Sequence, residues 1–252
     1  MSSLKAIFVT GTAGSGKSLL TSKLLQWYKD RGEFSASLNL DPGSLKLPYE
    51  PDIDVRNYVD INTLMDTYEL GPNGSLVMAS DMIATRLDEI QSEVDELNPD
   101  YIIVDTPGQI ELFAFRASGP YFVSNFSAEE KATIFAFDGM LVSSPINFVS
   151  VSLLASAVKL RLQTAQINAL TKRDLITDKL VKILEWSNSA YALDDALAGE
   201  KDVEYSLLSR ELAKSLSKAG FGQSIIAVSS LTMSGMVNLV GALSRTVNQG
   251  ED

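Results

Sequence analysis

Five short apolar runs punctuate the chain at spacings that suit strands separated by helices: LKAIFV (4–9), FSASLNL (34–40), YIIV (101–104), ATIFAF (132–137) and SIIAVS (224–229). TAQINAL (164–170) supplies a sixth. Between them lie helix-like patterns, among them SLLTSKLLQWYKDRG (18–32), SDMIATRLDEIQSEVDEL (80–97) and INFVSVSLLASAVKL (146–160). Strands alternating with helices predict an α/β fold, a mostly parallel sheet flanked by helices.

Residues 177–218 break the alternation. DKLVKILEWSNSAYALDDALAG and EYSLLSRELAKSLSKAG are polar and helix-rich, and they stand ahead of the last apolar run. They predict a helical insertion on one edge of the sheet within a single domain spanning 1–252. A closing helix over roughly 233–247 is expected to follow the last strand and pack on a sheet face.

Composition narrows the chemistry. With 252 residues, 45% of them hydrophobic, the chain can bury a substantial core. It contains neither cysteine nor histidine, so disulfides, thiolate metal sites and imidazole acid–base chemistry are excluded, and any metal is expected on oxygen ligands. The 21 basic against 32 acidic residues give a net charge of -11, which opposes broad contact with nucleic acid or anionic lipid. Only a four-residue apolar run precedes Thr10, too short for a signal segment, and no apolar span is read as approaching membrane thickness. A cytoplasmic protein, with no membrane and no direct nucleic-acid partner, is the expectation.

The strongest local signal follows the first apolar run. GTAGSGKS (11–18) fits the phosphate-binding pattern Gly-x4-Gly-Lys-Ser/Thr and stands between a strand and a helix, the context that pattern requires. Its glycines let the backbone N–H groups of Gly11, Thr12, Ala13, Gly14, Ser15 and Gly16 turn inward around phosphate oxygens. The helix start through Leu19 would add positive potential, Lys17 would reach the β- and γ-phosphates, and Ser18 can ligate Mg²⁺.

A second signal is YIIVDTPGQIE (101–111). A buried strand would deliver Asp105 to the carboxyl edge of the sheet to hold Mg²⁺ through water, and leave the Gly108 N–H free to sense a γ-phosphate. Gln109 follows, where Ras-like GTPases carry the glutamine that orients the attacking water. NLDPGS (39–44) would bring Asp41 to the same edge, as a switch residue near Mg²⁺ or the attacking water.

The third signal is TKRD, Thr171-Lys172-Arg173-Asp174, where GTPases usually carry Asn-Lys-x-Asp. Asp174 can accept paired hydrogen bonds from the N1 and exocyclic amino donors of guanine, which adenine does not offer, while the Lys172 stem covers the ring. AVSSLTMSG (227–235), with Ser229, supplies a backbone loop beside the base. LGPNGSL (70–76) reads locally as a β-turn with Pro72 second and Asn73 third.

GTAGSGKS, NLDPGS, LGPNG, DTPGQIE and TKRDL, in this order and approximate spacing, resemble the GPN-loop GTPases, named for a Gly-Pro-Asn tripeptide, over nearly the whole chain. The resemblance implies a Mg²⁺-dependent GTPase of the dimeric SIMIBI type, the class of nitrogenase iron protein and the signal-recognition GTPases. It further implies GTP/GDP as ligands, a homodimer in which each Asn73 faces the partner's nucleotide, and, for eukaryotic relatives, a role in assembling or importing RNA polymerase. Catalytic work then falls to Asp41, Asn73, Asp105 and Gln109, with Ser18, Asp41 and Asp105 around the metal. Two departures stand out. Thr171 replaces the asparagine that usually ties the base loop to the phosphate loop, leaving open whether nearby Asn168 takes that part. Thr12 and Ala13 occupy the place where many dimeric relatives carry an extra lysine. The competing readings are a nucleotide-gated scaffold with negligible turnover and a small-molecule kinase.

Overall fold

A computed structural model describes residues 4–218 and 224–247. Among them, seven strands form one sheet in the order β3-β2-β4-β1-β5-β6-β7, and every neighbouring pair is parallel. Six are the predicted runs: β1 (Lys5–Gly11), β2 (Ser35–Asn39), β4 (Tyr101–Asp105), β5 (Glu130–Asp138), β6 (Ala165–Thr171) and β7 (Ile225–Ala227). The seventh, β3 (Ile53–Asp54), is an edge strand of two residues that pairs with Leu38 and Asn39 and is too short to show a periodic pattern.

Side chains of β1 alternate between two cores. Ala6 and Phe8 join Leu38, Ile102, Val104, Phe135 and Phe137 on one face, and Ile7 and Val9 join Ile103 and Ile134 on the other. α1 (Lys17–Lys29) and α11 (Met236–Val247) cover the second face through Leu20, Leu24, Leu239 and Leu243. The first face carries α2 (Ile61–Tyr68), α3 (Pro72–Thr85), α4 (Leu87–Leu97), α5 (Ile110–Ala114), α6 (Ser118–Asn125) and α7 (Pro145–Leu162). Residues buried on both sides explain the unbroken apolar character of the strands.

Three expectations need correction. SDMIATRLDEIQSEVDEL is two helices, because Arg86 (φ -97°, ψ 10°) leaves helical geometry between α3 and α4. The 177–218 insertion is α8 (Leu180–Asn188), α9 (Ala190–Ala198) and α10 (Val203–Lys218). It packs through Ile183, Leu193 and Leu197 into the core on the α7 side, and is not confined to the sheet edge. The last two residues of EYSLLSRELAKSLSKAG lie outside the described residues. Finally, α7 is long and apolar enough by length and composition to cross a membrane, with half of it buried inside the protein. Phe148, Val149, Ala155 and Val158 spend that apolarity on the core.

The chain leaves β1 toward β2 and β4 on one side and toward β5, β6 and β7 on the other. In open α/β sheets that arrangement opens a crevice at the carboxyl end of the central strand. The same end collects Gly11, Asn39, Asp105, Asp138 and Thr171, each the last residue of its strand.

Candidate functional site

The loop after β1 is held by its own backbone. Gly11 (φ 145°) packs so closely that an added Cβ would sit 2.7 Å from the Ala136 carbonyl oxygen and 2.9 Å from Ser15 Oγ. Gly16 (φ 88°) caps α1 in left-handed geometry, which turns the chain into the helix. Ser15 N–H donates to Thr12 O at 3.2 Å. Lys17 lies in the first turn of α1, buried, its Nζ donating to the carbonyl oxygens of Gly11 (3.2 Å) and Thr12 (2.9 Å). Burial lowers its pKa, opposed by Asp105 and Asp41. Thr12, Ala13 and Gly14 line the open side of the loop, with Ser18 and Leu19 half-buried on the helix.

Asp105 ends β4 in register with Asn39 of β2 and Val9 of β1. Its side chain is 1% exposed, with Oδ2 accepting from the Tyr49 hydroxyl at 3.1 Å and Oδ1 buried without a hydrogen-bond partner. Burial pushes this carboxyl up to about 6, while Ser18, Tyr49 and Lys17 pull it down. Burial and the neighbouring Asp105 hold the Tyr49 hydroxyl above its ordinary range, so it stays a donor. Thr106 anchors the strand end, its Oγ1 donating to Val9 O at 2.8 Å.

Asp41 lies at the same edge, as expected, but the Gly108 N–H is not free. It donates to Asp41 Oδ2 at 3.0 Å, and Gly43 N–H donates to Oδ1 at 2.9 Å. A carboxylate two residues beyond β2 is the nearest strong acceptor for an amide at the end of β4, and it takes the place expected for a phosphate oxygen. Asp41 is in turn held by Asn39, whose Oδ1 accepts from Asp41 N at 3.0 Å and whose Nδ2 donates to Asp54 Oδ1 at 3.0 Å. Arg56 grips Asp54 through Nε at 3.0 and 2.9 Å and reaches Ser44 O at 2.8 Å. Burial raises the Asp54 carboxyl, but these donors outweigh it and leave it below the usual range.

On the other side of the crevice the Thr171 hydroxyl lies 2.7 Å from Ser15 O and 3.0 Å from Phe137 O. Threonine therefore braces the base loop directly against the phosphate loop. Asn168 lies within β6, its Oδ1 accepting from Gln166. Lys172 adopts left-handed geometry (φ 57°) and its Nζ pairs with Asp138 at 2.8 Å, which fixes the direction of the stem. Asp174 is half-buried in the turn Arg173–Leu175 and makes no ion pair among the described residues. Ser229 is buried, its Oγ accepting from Thr232 N–H at 3.1 Å and its N–H donating to Ser234 O at 2.9 Å, which closes the 229–234 loop beside it.

Gly71-Pro72-Asn73 is not a β-turn. Gly71 is the N-cap of α3, Pro72 takes the first helical position, and Asn73 is exposed at the second. Proline suits that position because its missing N–H is unpaired there in any helix, and SLVMASDMIAT continues the helix behind it. Gln109 is the exposed N-cap of α5. Among the described residues neither side chain hydrogen-bonds to the phosphate loop.

A divalent cation fits the donors present. Oxygen ligands are all this chain offers, Asp105 Oδ1 is a buried orphan, and the Ser18 hydroxyl acts on the same carboxyl group. Among the described residues no group of three acidic side chains converges as a self-sufficient metal site. Mg²⁺ characteristically accepts such a site, taking one or two protein oxygens and completing its shell with phosphate and water. A separate cavity of about 150 Å³, among Phe148, Trp186, Leu193, Arg210 and Leu216, includes no residue of this crevice.

Residues 9–249 match the family described as "Conserved hypothetical ATP binding protein". GPN-loop GTPase QQT2 of Arabidopsis thaliana is 30% identical over 96% of this chain and 64% of its own length. GPN-loop GTPase PAB0955 of Pyrococcus abyssi is 32% identical over 77% of this chain and 79% of its own. The crystal structure of PAB0955 from Pyrococcus abyssi, a GTPase in apo form, superposes with a TM-score of 0.85 over 98% of both chains at 28% identity. The chain belongs to the GPN-loop GTPase family. It spans about half to two thirds of the length of the first eukaryotic GPN-loop relatives it matches.

Family membership makes the Gly71-Pro72-Asn73 helix start the naming feature of the chain. Two side chains of this GPN-loop protein escaped the sequence reading. Asp138 had a usable signal, an acidic residue closing the apolar run ATIFAF, as Asp105 closes YIIV. Tyr49 had a weaker one, an aromatic residue with a polar tip bracketed by Pro48 and Pro51.

Proposed function

We propose that the protein is a Mg²⁺-dependent GTPase that hydrolyses GTP to GDP and phosphate and uses its nucleotide state to switch a homodimer acting on a protein client. The observation that carries the reading is the Asp105 carboxylate, buried with one oxygen bare in a group that Ser18 and Lys17 both influence. A bare buried carboxylate oxygen costs free energy in isolation, so a partner from outside the chain is the economical explanation. Bound Mg²⁺ would supply charge neutralisation between phosphate oxygens.

The chain's own groups divide the remaining work. Lys17 is parked on two carbonyl oxygens of its loop and has phosphate oxygens as a stronger alternative acceptor. The loop amides from Gly11 to Gly16 receive phosphate, with Leu19 in the helix turn behind them. Gly108 N–H becomes available to a γ-phosphate when Asp41 lets go, and the released Asp41 carboxylate is then positioned to orient water or a cation-bound water. Asp174 selects guanine, Lys172 roofs the base on a stem directed by Asp138, and the loop at Ser229 closes its far edge. Gln109 and the partner's copy of the Asn73 position complete the water site. A client in RNA polymerase assembly rests on the family resemblance alone, which implies that role for eukaryotic relatives, and a cytoplasmic location rests on the sequence reading.

The family description that names ATP makes nucleotide choice the first test. Titrating labelled GDP and ADP against the wild type and Asp174→Ala should show GDP preferred, and the preference lost in the variant by roughly ten- to a hundredfold. Equal binding of ADP and GDP by the wild type would overturn the guanine assignment, and absence of Mg²⁺-dependent phosphate release would overturn the hydrolase.

A further inference from the structure

The two oxygens of Asp105 have unequal surroundings. Oδ2 is taken by the Tyr49 hydroxyl at 3.1 Å, and Oδ1 is buried and bare. Tyr49 reaches it from Leu47-Pro48-Tyr49-Glu50-Pro51-Asp52, a segment between β2 and β3 that is clamped on both sides of the tyrosine. On the near side, Ser22 Oγ of α1 donates to Pro48 O at 3.3 Å. On the far side, Asp52 Oδ2 accepts from both N–H and Oγ of Ser37 at 2.7 Å, and Asp52 N–H donates back to Ser37 Oγ at 3.0 Å. Pro48 and Pro51 remove two more backbone freedoms between the clamps. The phenol is mounted on a stiff strap tied to α1 and to β2, the same elements that carry Ser18 and lead into Asp41.

We propose that Tyr49 is a positioning residue for Asp105. Its hydroxyl holds Oδ2 and thereby fixes the carboxylate with Oδ1 turned toward the divalent cation. This rests on the reading of Lys17, Ser18 and Asp105 as a Mg²⁺–nucleotide centre. A phenol suits the task better than the alternatives. A serine at position 49 would be too short to span from the strap, and a lysine would set a positive charge beside a dication. The neutral phenolic donor orients the carboxylate without electrostatic competition. Outer-shell donors of this kind typically change metal affinity by ten- to a hundredfold when removed.

Tyr49→Phe keeps the ring and its packing and deletes only the donor. The readout is Mn²⁺ binding to the protein–GDP complex, followed by electron paramagnetic resonance, alongside GDP affinity in EDTA. Mn²⁺ affinity is expected to fall by about ten- to a hundredfold in the variant, with GDP affinity in EDTA within about twofold of wild type. At low Mg²⁺, kcat should fall with little change in KM for GTP, and added Mg²⁺ should restore it. Ser37→Ala, which loosens the strap and leaves the hydroxyl in place, should weaken Mn²⁺ in the same direction by a few-fold, and it stands in if Tyr49→Phe does not fold. Wild-type or tighter Mn²⁺ binding by the folded variants would overturn the proposal, because the hydroxyl would then merely satisfy Asp105 between cations. A wild-type GDP complex that binds no Mn²⁺, or binds it equally well after Asp105→Ala, would sink the underlying metal-centre reading and this inference with it.

Discussion

Asp41 and Gly108 are joined by a 3.0 Å hydrogen bond, carboxylate oxygen to backbone N–H, between the segments that follow β2 and β4. The two residues are 67 positions apart in sequence. An anionic oxygen of the protein holds the amide expected to sense an anionic oxygen of the ligand, so the two compete for one donor.

Removing the competitor should change ligand preference. With Asp41→Ala, the ratio of GTP to GDP affinity is expected to rise by roughly tenfold or more, since a hydrogen bond to a charged group contributes about 1.5–3 kcal/mol. Turnover should fall because the same carboxylate is lost to the water site. Fluorescent-nucleotide titration with a non-hydrolysable GTP analogue measures the ratio; an unchanged value would mean that Gly108 does not discriminate the γ-phosphate.

Thr171→Val replaces the bracing hydroxyl by a methyl group of similar size. Ser15 O then loses its hydroxyl donor from β6. A loss of about 1–3 kcal/mol in unfolding free energy is expected for the buried carbonyl left unpaired, or roughly 2–4 °C in melting temperature per kcal/mol for a chain of this size. GDP affinity should weaken as well, because the brace connects both ligand loops. Calorimetry and GDP titration on one preparation test both halves.

The Asp105 carboxyl gives a pH dependence with a definite sign. Its folded pKa of about 6 lies above the ordinary 3.8, so between those values the native state holds a proton that the unfolded chain has released. Stability of the ligand-free protein in EDTA should therefore rise as pH falls from about 7 toward 4, as far as this group contributes. Asp105→Asn removes the burial cost of the charge and should be more stable than wild type at pH 7.5, with the advantage fading by pH 5. Paired melting curves at the two pH values decide it; an asparagine variant no more stable at either pH would contradict the assignment.

Asn73 is exposed at the start of α3, consistent with work done on a partner subunit. Asn73→Ala should keep the fold and nucleotide affinity and lose most turnover. Mixing it with Lys17→Ala should restore some activity once mixed dimers are confirmed, because one site then combines an intact Lys17 with an intact Asn73 from across the interface. Wild-type turnover in Asn73→Ala would leave the tripeptide a helix start and nothing more.

What could be read in advance follows the range over which each feature acts. GTAGSGKS is local chemistry, a fixed spacing of glycines, lysine and serine imposed by phosphate, and it stands between β1 and α1 as expected. Strands of five or more residues were visible as apolar runs, whereas β3 consists of Ile53 and Asp54 and exists only because Leu38 and Asn39 pair with it. The helix start at Pro72 was misread because Gly, Pro and Asn serve turns and helix N-termini alike, and only the pattern after them separates the two. Thr171 left the brace open since a motif match does not measure reach, and its hydroxyl closes on Ser15 without an amide. Tyr49 was missed for the converse reason: its partner Asp105 is 56 residues away, and the bracketing prolines mark the tyrosine without naming that partner.

The parallel sheet also sets terms for how the molecule is made. β1 emerges from the ribosome ahead of both its sheet neighbours, which begin only at Tyr101 and Glu130. An apolar strand with both edges bare must wait through the synthesis of the strap, the GPN helix and α4 before either side can close. Such long-range closure is slow, and the exposed strand is prone to pair with other chains meanwhile. The very placement that puts the phosphate loop at the centre of the sheet makes the nascent chain dependent on early shielding of residues 5–11. Yield of native protein should therefore respond to translation speed between the codons for β1 and β5 more than beyond them.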